Sequence, residues 1–164
     1  RKIRKKINKN TLKVELRENI EINSNSYGSY NEISIEGINE VSKRIITVPT
    51  TEQEIIAMST VIGSGTYVEG DVRYIRITNL STSNPVVLTF KNESNDEFAV
   101  KLDKGLSYIY SGISGSGVVD SFTATGSSAI GLGPGEANPK DLVSITAQSS
   151  GSVPADIEYF IAAI

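Results

Sequence analysis

Side chains able to do chemistry are few in kind here. The sequence contains no histidine and no cysteine, which removes the commonest general base, the commonest metal ligand and every thiolate. A serine nucleophile has no imidazole to activate it, so triads of the usual kind are excluded. Neither disulfides nor thiolate metal sites can brace the fold. Nineteen Asp and Glu are available for the paired carboxylates of glycoside hydrolysis, yet no spacing singles out one pair. Glu69 with Asp71, and Asp96 with Glu97, read as turn and edge-strand charges that discourage sheet-to-sheet association. Asn92, Glu93, Asn95, Asp96 and Glu97 crowd the oxygen donors that hard cations favour. Their spacing matches no calcium loop, and a solvated Asx-rich turn is the simpler reading. The GSG at 63–65 and the GLGPG at 131–135 lack the Gly-Lys-Ser/Thr ending and the strand-to-helix setting of a phosphate loop. Tyr108 with Tyr110 would suit a sugar platform if exposed, but both share an alternating face with Leu106, which favours core packing. No catalytic, metal or cofactor site emerges, so the expectation is a binding or structural protein rather than an enzyme.

The 164 residues fit one domain with room for a sizeable core. A net charge of −3 argues against a protein that coats nucleic acid, which would be basic throughout. No apolar run approaches the roughly 18 residues of a membrane span. Residues 1–10, RKIRKKINKN, carry six cations: Arg1, Lys2, Arg4, Lys5, Lys6 and Lys9. Such an arm can dock on an acidic surface or on phosphates, or it can simply be a solvated terminus. No apolar segment follows it, so it does not read as a secretory signal. An opening Arg1 in place of Met fits a processed or trimmed form.

The elements that must position any site are strands. Between Asp71 and Tyr110 apolar residues recur at every second position: Ile75 and Ile77; Val86, Leu88 and Phe90; Phe98, Val100 and Leu102; Leu106, Tyr108 and Tyr110. Alternation broken by Asn, Asp, Ser and Gly clusters predicts half-buried antiparallel strands, here expected to form a four-stranded meander with one wet face. Upstream, Thr11–Asn23 and Tyr30–Ile38 predict a hairpin turning at SNSYGS, and Lys43–Val48 a further strand closed by Pro49. Thr50–Ile62 is ambiguous. Thr51 with Glu54 resembles a helix capping box, but a strand suits its neighbours better. Downstream, the Gly/Ser-rich stretch from Gly112 to Asp141 predicts long loops, with a short strand at Val118–Thr123. Asp141–Gln148 and Ala155–Ile164 return to strand, and the apolar character of the latter predicts that it is paired or packed. About ten strands at this spacing predict a single all-β antiparallel sandwich over residues 11–164, either a jelly roll or immunoglobulin-like.

Four strings, INEVSKRIITVPTTE, GTYVEGDVRYIRITNL, VVLTFKNESNDEFAVKLDKGLSYIY and DIEYFIAAI, together resemble small β-rich virion proteins of short-tailed marine bacteriophages, those of cyanobacteria and related ocean bacteria. The resemblance runs from about Leu12 to Ile164. It implies a structural protein of the particle, present in many copies; with the missing chemistry, the expectation is a homo-oligomer without enzymatic activity, cofactor, membrane or specific nucleic-acid partner. The favoured placement is the capsid exterior, as a decoration protein bound to the major capsid protein; a tail, adaptor or fibre position, or a host-glycan-binding module, is the alternative. Docking to the coat lattice would fall on Arg1, Lys2, Arg4, Lys5 and Lys6, and glycan contacts on the loops between Gly112 and Asp141.

Overall fold

The computed structural model describes residues 10–63, 65–93, 95, 97–110, 113–114, 117–118 and 142–164. In chain order the strands are β1 (Thr11–Glu18), β2 (Glu21–Ile22), β3 (Asn25–Ser26), β4 (Ser29–Glu36), β5 (Glu40–Val48), β6 (Gln53–Ser59), β7 (Tyr67–Val68), β8 (Val72–Asn79), β9 (Val86–Asn92), β10 (Glu97–Leu102), β11 (Ser107–Ile109), β12 (Ile113–Ser114), β13 (Gly117–Val118), β14 (Leu142–Ser149) and β15 (Ala155–Ala163). No helix occurs among the described residues, so none is long and apolar enough to cross a membrane.

Two sheets hold the core. One runs β11-β8-β15-β5 and the other β10-β9-β14-β6-β7, where only β7 joins in parallel. Taking β5, β6, β8, β9, β10, β11, β14 and β15 as strands 1 to 8, the sheets read 1-8-3-6 and 2-7-4-5. That order is the double Greek key of a jelly roll, and it decides between the two sandwich topologies the alternation allowed. The segment Gln53–Ser59 is strand β6, as its neighbours suggested. Glu54 accepts a hydrogen bond from Ser144 Oγ at 2.8 Å across the sheet instead of capping a helix.

The meander expected between Asp71 and Tyr110 is not formed. All four strands exist, but only β9 and β10 pair with each other. β8 pairs with β11 and β15, in the opposite sheet. The chain therefore crosses between sheets at 80–85 and returns at 103–106. Alternation reports that a strand has one buried face; it carries no information about which sheet that face belongs to. Ile75, Ile77, Ile157 and Ile161 from one sheet, and Ile56, Leu88, Phe90 and Ile145 from the other, close on a single apolar core.

Asn79 organises the crossings. Its side chain is fully buried, donates to the carbonyls of Asn84 at 2.8 Å and Leu102 at 3.0 Å, and accepts from Ser81 N at 2.9 Å. Its backbone N–H donates to Leu106 O and its carbonyl accepts from Gly105 N, both at 2.9 Å. One residue thus ties both crossings, which would otherwise leave carbonyls unpaired in the interior.

Candidate functional site

The feature without a structural role inside the sandwich is the hairpin of β1 and β4. Leu12 faces Ile35, Val14 faces Ile33 and Leu16 faces Asn31, so one surface is apolar. The other carries Lys13, Glu15, Glu32, Arg17 and Tyr30. There Lys13 Nζ lies 2.9 Å from Glu15 and 3.2 Å from Glu32, and Tyr30 Oη donates to Glu32 at 2.6 Å. That bond to Glu32 pushes the Tyr30 phenol up to about 12. At the tip, Asn23 (φ 52°) and Ser24 (φ 64°) form a two-residue turn between β2 and β3. Two successive left-handed residues match the twist of paired strands, so the tip turn is Asn23–Ser24, and Asn25–Ser26 of the expected SNSYGS turn is strand instead.

The base of the hairpin is anchored. Leu12, Val14 and Ile35 pack with Ile38 on Tyr74, Phe160 and Ala162, the outward face of the β11-β8-β15-β5 sheet. Ile38 N donates to Asn10 O at 3.0 Å and Asn39 N to Ala163 O at 2.9 Å. Gly37, with φ +80°, makes the turn into β5 in a conformation that favours glycine. Beyond the base the support ends: residues 15–34 are all exposed. Leu16 is 53% and Ile33 45% exposed, and Ile20, Ile22, Tyr27 and Tyr30 are also open. An isolated two-stranded hairpin is marginal in water, and clustered apolar exposure of this extent marks an interaction surface.

Beside the anchored base, the same outward sheet face carries Arg76 and Glu158, 2.7 Å apart and both largely covered. Arg76 also hydrogen-bonds Thr78 and lies 6.0 Å from the Phe160 ring centre. The bond from Arg76 holds the Glu158 carboxyl below the usual carboxylate range, against the opposing effect of burial. A carboxyl depressed in the folded state contributes stability that is present above its unfolded pKa and lost as pH falls through its folded pKa. Melting temperature should therefore decline on acidification below the ordinary carboxylate range, and Glu158→Gln should shrink that decline while lowering the neutral-pH value. An unchanged acid slope in Glu158→Gln would show that the pair contributes nothing to it.

A second concavity, of about 360 Å³, opens where β5 and β7 edge the sandwich, lined by Glu40, Ser42, Arg44, Ile55, Tyr67 and Tyr159 among others. Burial, and then a hydrogen bond with Tyr67, push the Tyr159 phenol up. The pocket has polar donors and two phenol rings but no general acid–base pair.

Most residues singled out from sequence lie elsewhere. Arg1, Lys2, Arg4, Lys5 and Lys6 are outside the described residues, as are Asp96, the GLGPG segment and most of the stretch from Gly112 to Asp141. Tyr108 and Tyr110 are no sugar platform: both rings pack on Phe90, with centroids at 5.2 and 5.4 Å. Leu106 does not share their burial; it is exposed in the turn before β11. Glu69 is buried rather than a solvated turn charge. In the Asn92–Glu97 loop, Asn92 is buried, Asn95 takes a left-handed φ of 65°, and Glu97 pairs with Lys91 at 2.9 Å. No cluster of three or more metal-ligating side chains occurs among the described residues. The hairpin itself was expected, but its exposure was missed because Leu12, Val14 and Leu16 alternate like any half-buried strand. The one available signal was the density of charge on the opposite face, which carries Lys13, Glu15, Arg17, Glu32 and Glu36.

The fold and this surface define an all-β sandwich with a projecting, apolar-faced hairpin. No protein-family model, no curated protein and no solved structure matches the chain.

Proposed function

We propose that this chain is a non-enzymatic structural protein of a bacteriophage particle, a capsid decoration protein that docks on the major coat lattice. The observation that carries the reading is the hairpin: a run of exposed residues with apolar side chains on one face is a surface for assembly. The sequence supports it by offering neither histidine nor cysteine for chemistry. Jelly rolls serve capsid proteins, lectins and cupins alike, so the reading rests on the surface and on the resemblance, not on topology. The cations Arg1, Lys2, Arg4, Lys5 and Lys6 precede the hairpin and would meet acidic patches of the lattice.

Cryo-electron microscopy of intact particles tests this. Density of this sandwich on the coat lattice, with the first ten residues ordered against it, is the expected result. Density at the tail vertex would reassign the chain to an adaptor or fibre, and its absence from the particle would overturn the structural role. A host-glycan-binding module is the second reading, favoured by the concavity at Arg44, Tyr67 and Tyr159. It requires that Tyr67→Ala abolish binding on a glycan array; no glycan binding by the unaltered chain would end it.

A further inference from the structure

We infer that the exposed half of the hairpin is covered by the outward sheet face of a second copy of this chain, β1 and β4 of one copy lying along β5 of the next. The chemistry of the seat is already present within one chain, where Leu12, Val14 and Ile35 of this apolar surface rest on Tyr74, Phe160 and Ala162. The seat does not stop there. On β5, next to β15, Val41 is 55% and Ile45 64% exposed, and both belong to the same outward face as Ala162 and Glu158, their partners in register. On the arm, Leu16 and Ile33 extend the apolar surface past the part that is covered. Each copy thus presents an uncovered apolar arm and an uncovered continuation of the surface that holds its own arm.

Charge selects this arrangement over its rival. Residues 11–36 contain five Glu against Lys13 and Arg17. Of these, Glu18 alone on β1 and β4 lines up with Leu12, Val14 and Leu16 on the apolar face, and two arms packed face to face would offer it no cation. β5 offers Lys43, which shares the outward face with Val41 and Ile45 and whose exposed side chain lies 3.8 Å from Glu158. An arm carrying Glu18 over a sheet face carrying Lys43 brings the two opposite charges together. Because each copy offers both an arm and a receiving face, the contact closes either as a two-fold pair that exchanges both arms or head to tail into a ring.

The contact needs no coat lattice, so it is tested on the purified full chain by light scattering coupled to size exclusion, together with circular dichroism and melting temperature. The expected result is an oligomer. Leu16→Lys with Ile33→Lys on the arm, and separately Val41→Lys with Ile45→Lys on the sheet face, should each reduce it to a monomer of 17.6 kDa with an unchanged β spectrum. Mixing the two variants should restore a 1:1 pair, because each retains the surface the other has lost. A monomeric unaltered chain at micromolar concentration and above overturns the inference. So does a sheet-face variant that still oligomerises, which would reveal arm-to-arm packing, or a mixture that stays monomeric. If either variant loses its β spectrum, the milder Leu16→Ser or Ile45→Thr carries the same test. A monomer in solution that nonetheless decorates particles would sink this contact and leave the proposed function standing.

Discussion

Phe90→Ala should lower the stability of the sandwich by about 3–5 kcal/mol, the range for truncating a large buried aromatic. Phe90 is fully buried at the centre of β9 and is the ring on which others converge. Phe98 stacks on it at 4.7 Å with planes 12° apart, and Tyr108 and Tyr110 close in at 5.2 and 5.4 Å. Phe98 comes from its own sheet, across the β9–β10 hairpin, whereas Tyr108 and Tyr110 come from β11 and the residues just after it, in the other sheet. Removing the ring leaves a cavity bordered by three aromatic groups that are held by different strands and cannot collapse together. Denaturant unfolding followed by tyrosine fluorescence measures the effect. A loss under about 1 kcal/mol, the size of an ordinary surface substitution or less, would mean that the sheets slide to refill the space.

Asn79→Ala should cost about 2–4 kcal/mol, since it strands buried acceptors at Leu102 and Asn84 and removes the acceptor of Ser81 N. The more telling substitution is Asn79→Asp. It keeps the shape but loses both amide donors, and at neutral pH it points a carboxylate at two carbonyl oxygens. The folded protein will favour the protonated acid, so the Asp pKa is raised on folding. Stability should then be greatest below the unfolded pKa of the Asp and fall as pH rises through the folded value. Asn79→Asp should thus be less stable than Asn79→Ala at neutral pH and regain ground in acid, the reverse of the acid-labile contribution expected from Glu158. Chemical unfolding across pH separates the two. Equal pH profiles for Asn79→Asp and Asn79→Ala would remove the claim that the amide donors are what the site requires.

Strand identity was legible in the chain because the pleat imposes a period of two. The alternations at Val86–Phe90 and Phe98–Leu102 correctly mark a hairpin. The same logic misled at 80–85. There the stretch between Asn79 and Pro85 looked like another hairpin turn, and nothing in the alternation of Ile75 and Ile77 reveals that their face meets the opposite sheet. What redirects the chain is the buried amide of Asn79, one polar residue at the end of an apolar pattern. The arm shows the converse limit. Leu12 and Val14 are covered and Leu16 is not, yet the three are equivalent in sequence. Coverage depends on where Tyr74 and Phe160 end as a platform, which is set by strands far away in the chain. Val41, part of the receiving face, lay outside the strand expected to begin at Lys43, because β5 starts earlier, at Glu40.

The position of β14 and β15 bears on how this chain is made. β15 lies between β8 and β5, and β14 between β9 and β6. One inner strand of each sheet is therefore among the last two of the sandwich to be synthesised. Thr47 donates to Asp156 across 109 residues of sequence, and at about 5–20 residues per second of translation β5 waits several seconds for its neighbour. During that time β5, β6, β8 and β9 hold open edges and apolar faces with no strand to insert between them. Closure of the sandwich must follow emergence of β15 from the ribosome, and until then these apolar faces are the surfaces most exposed to association with other chains.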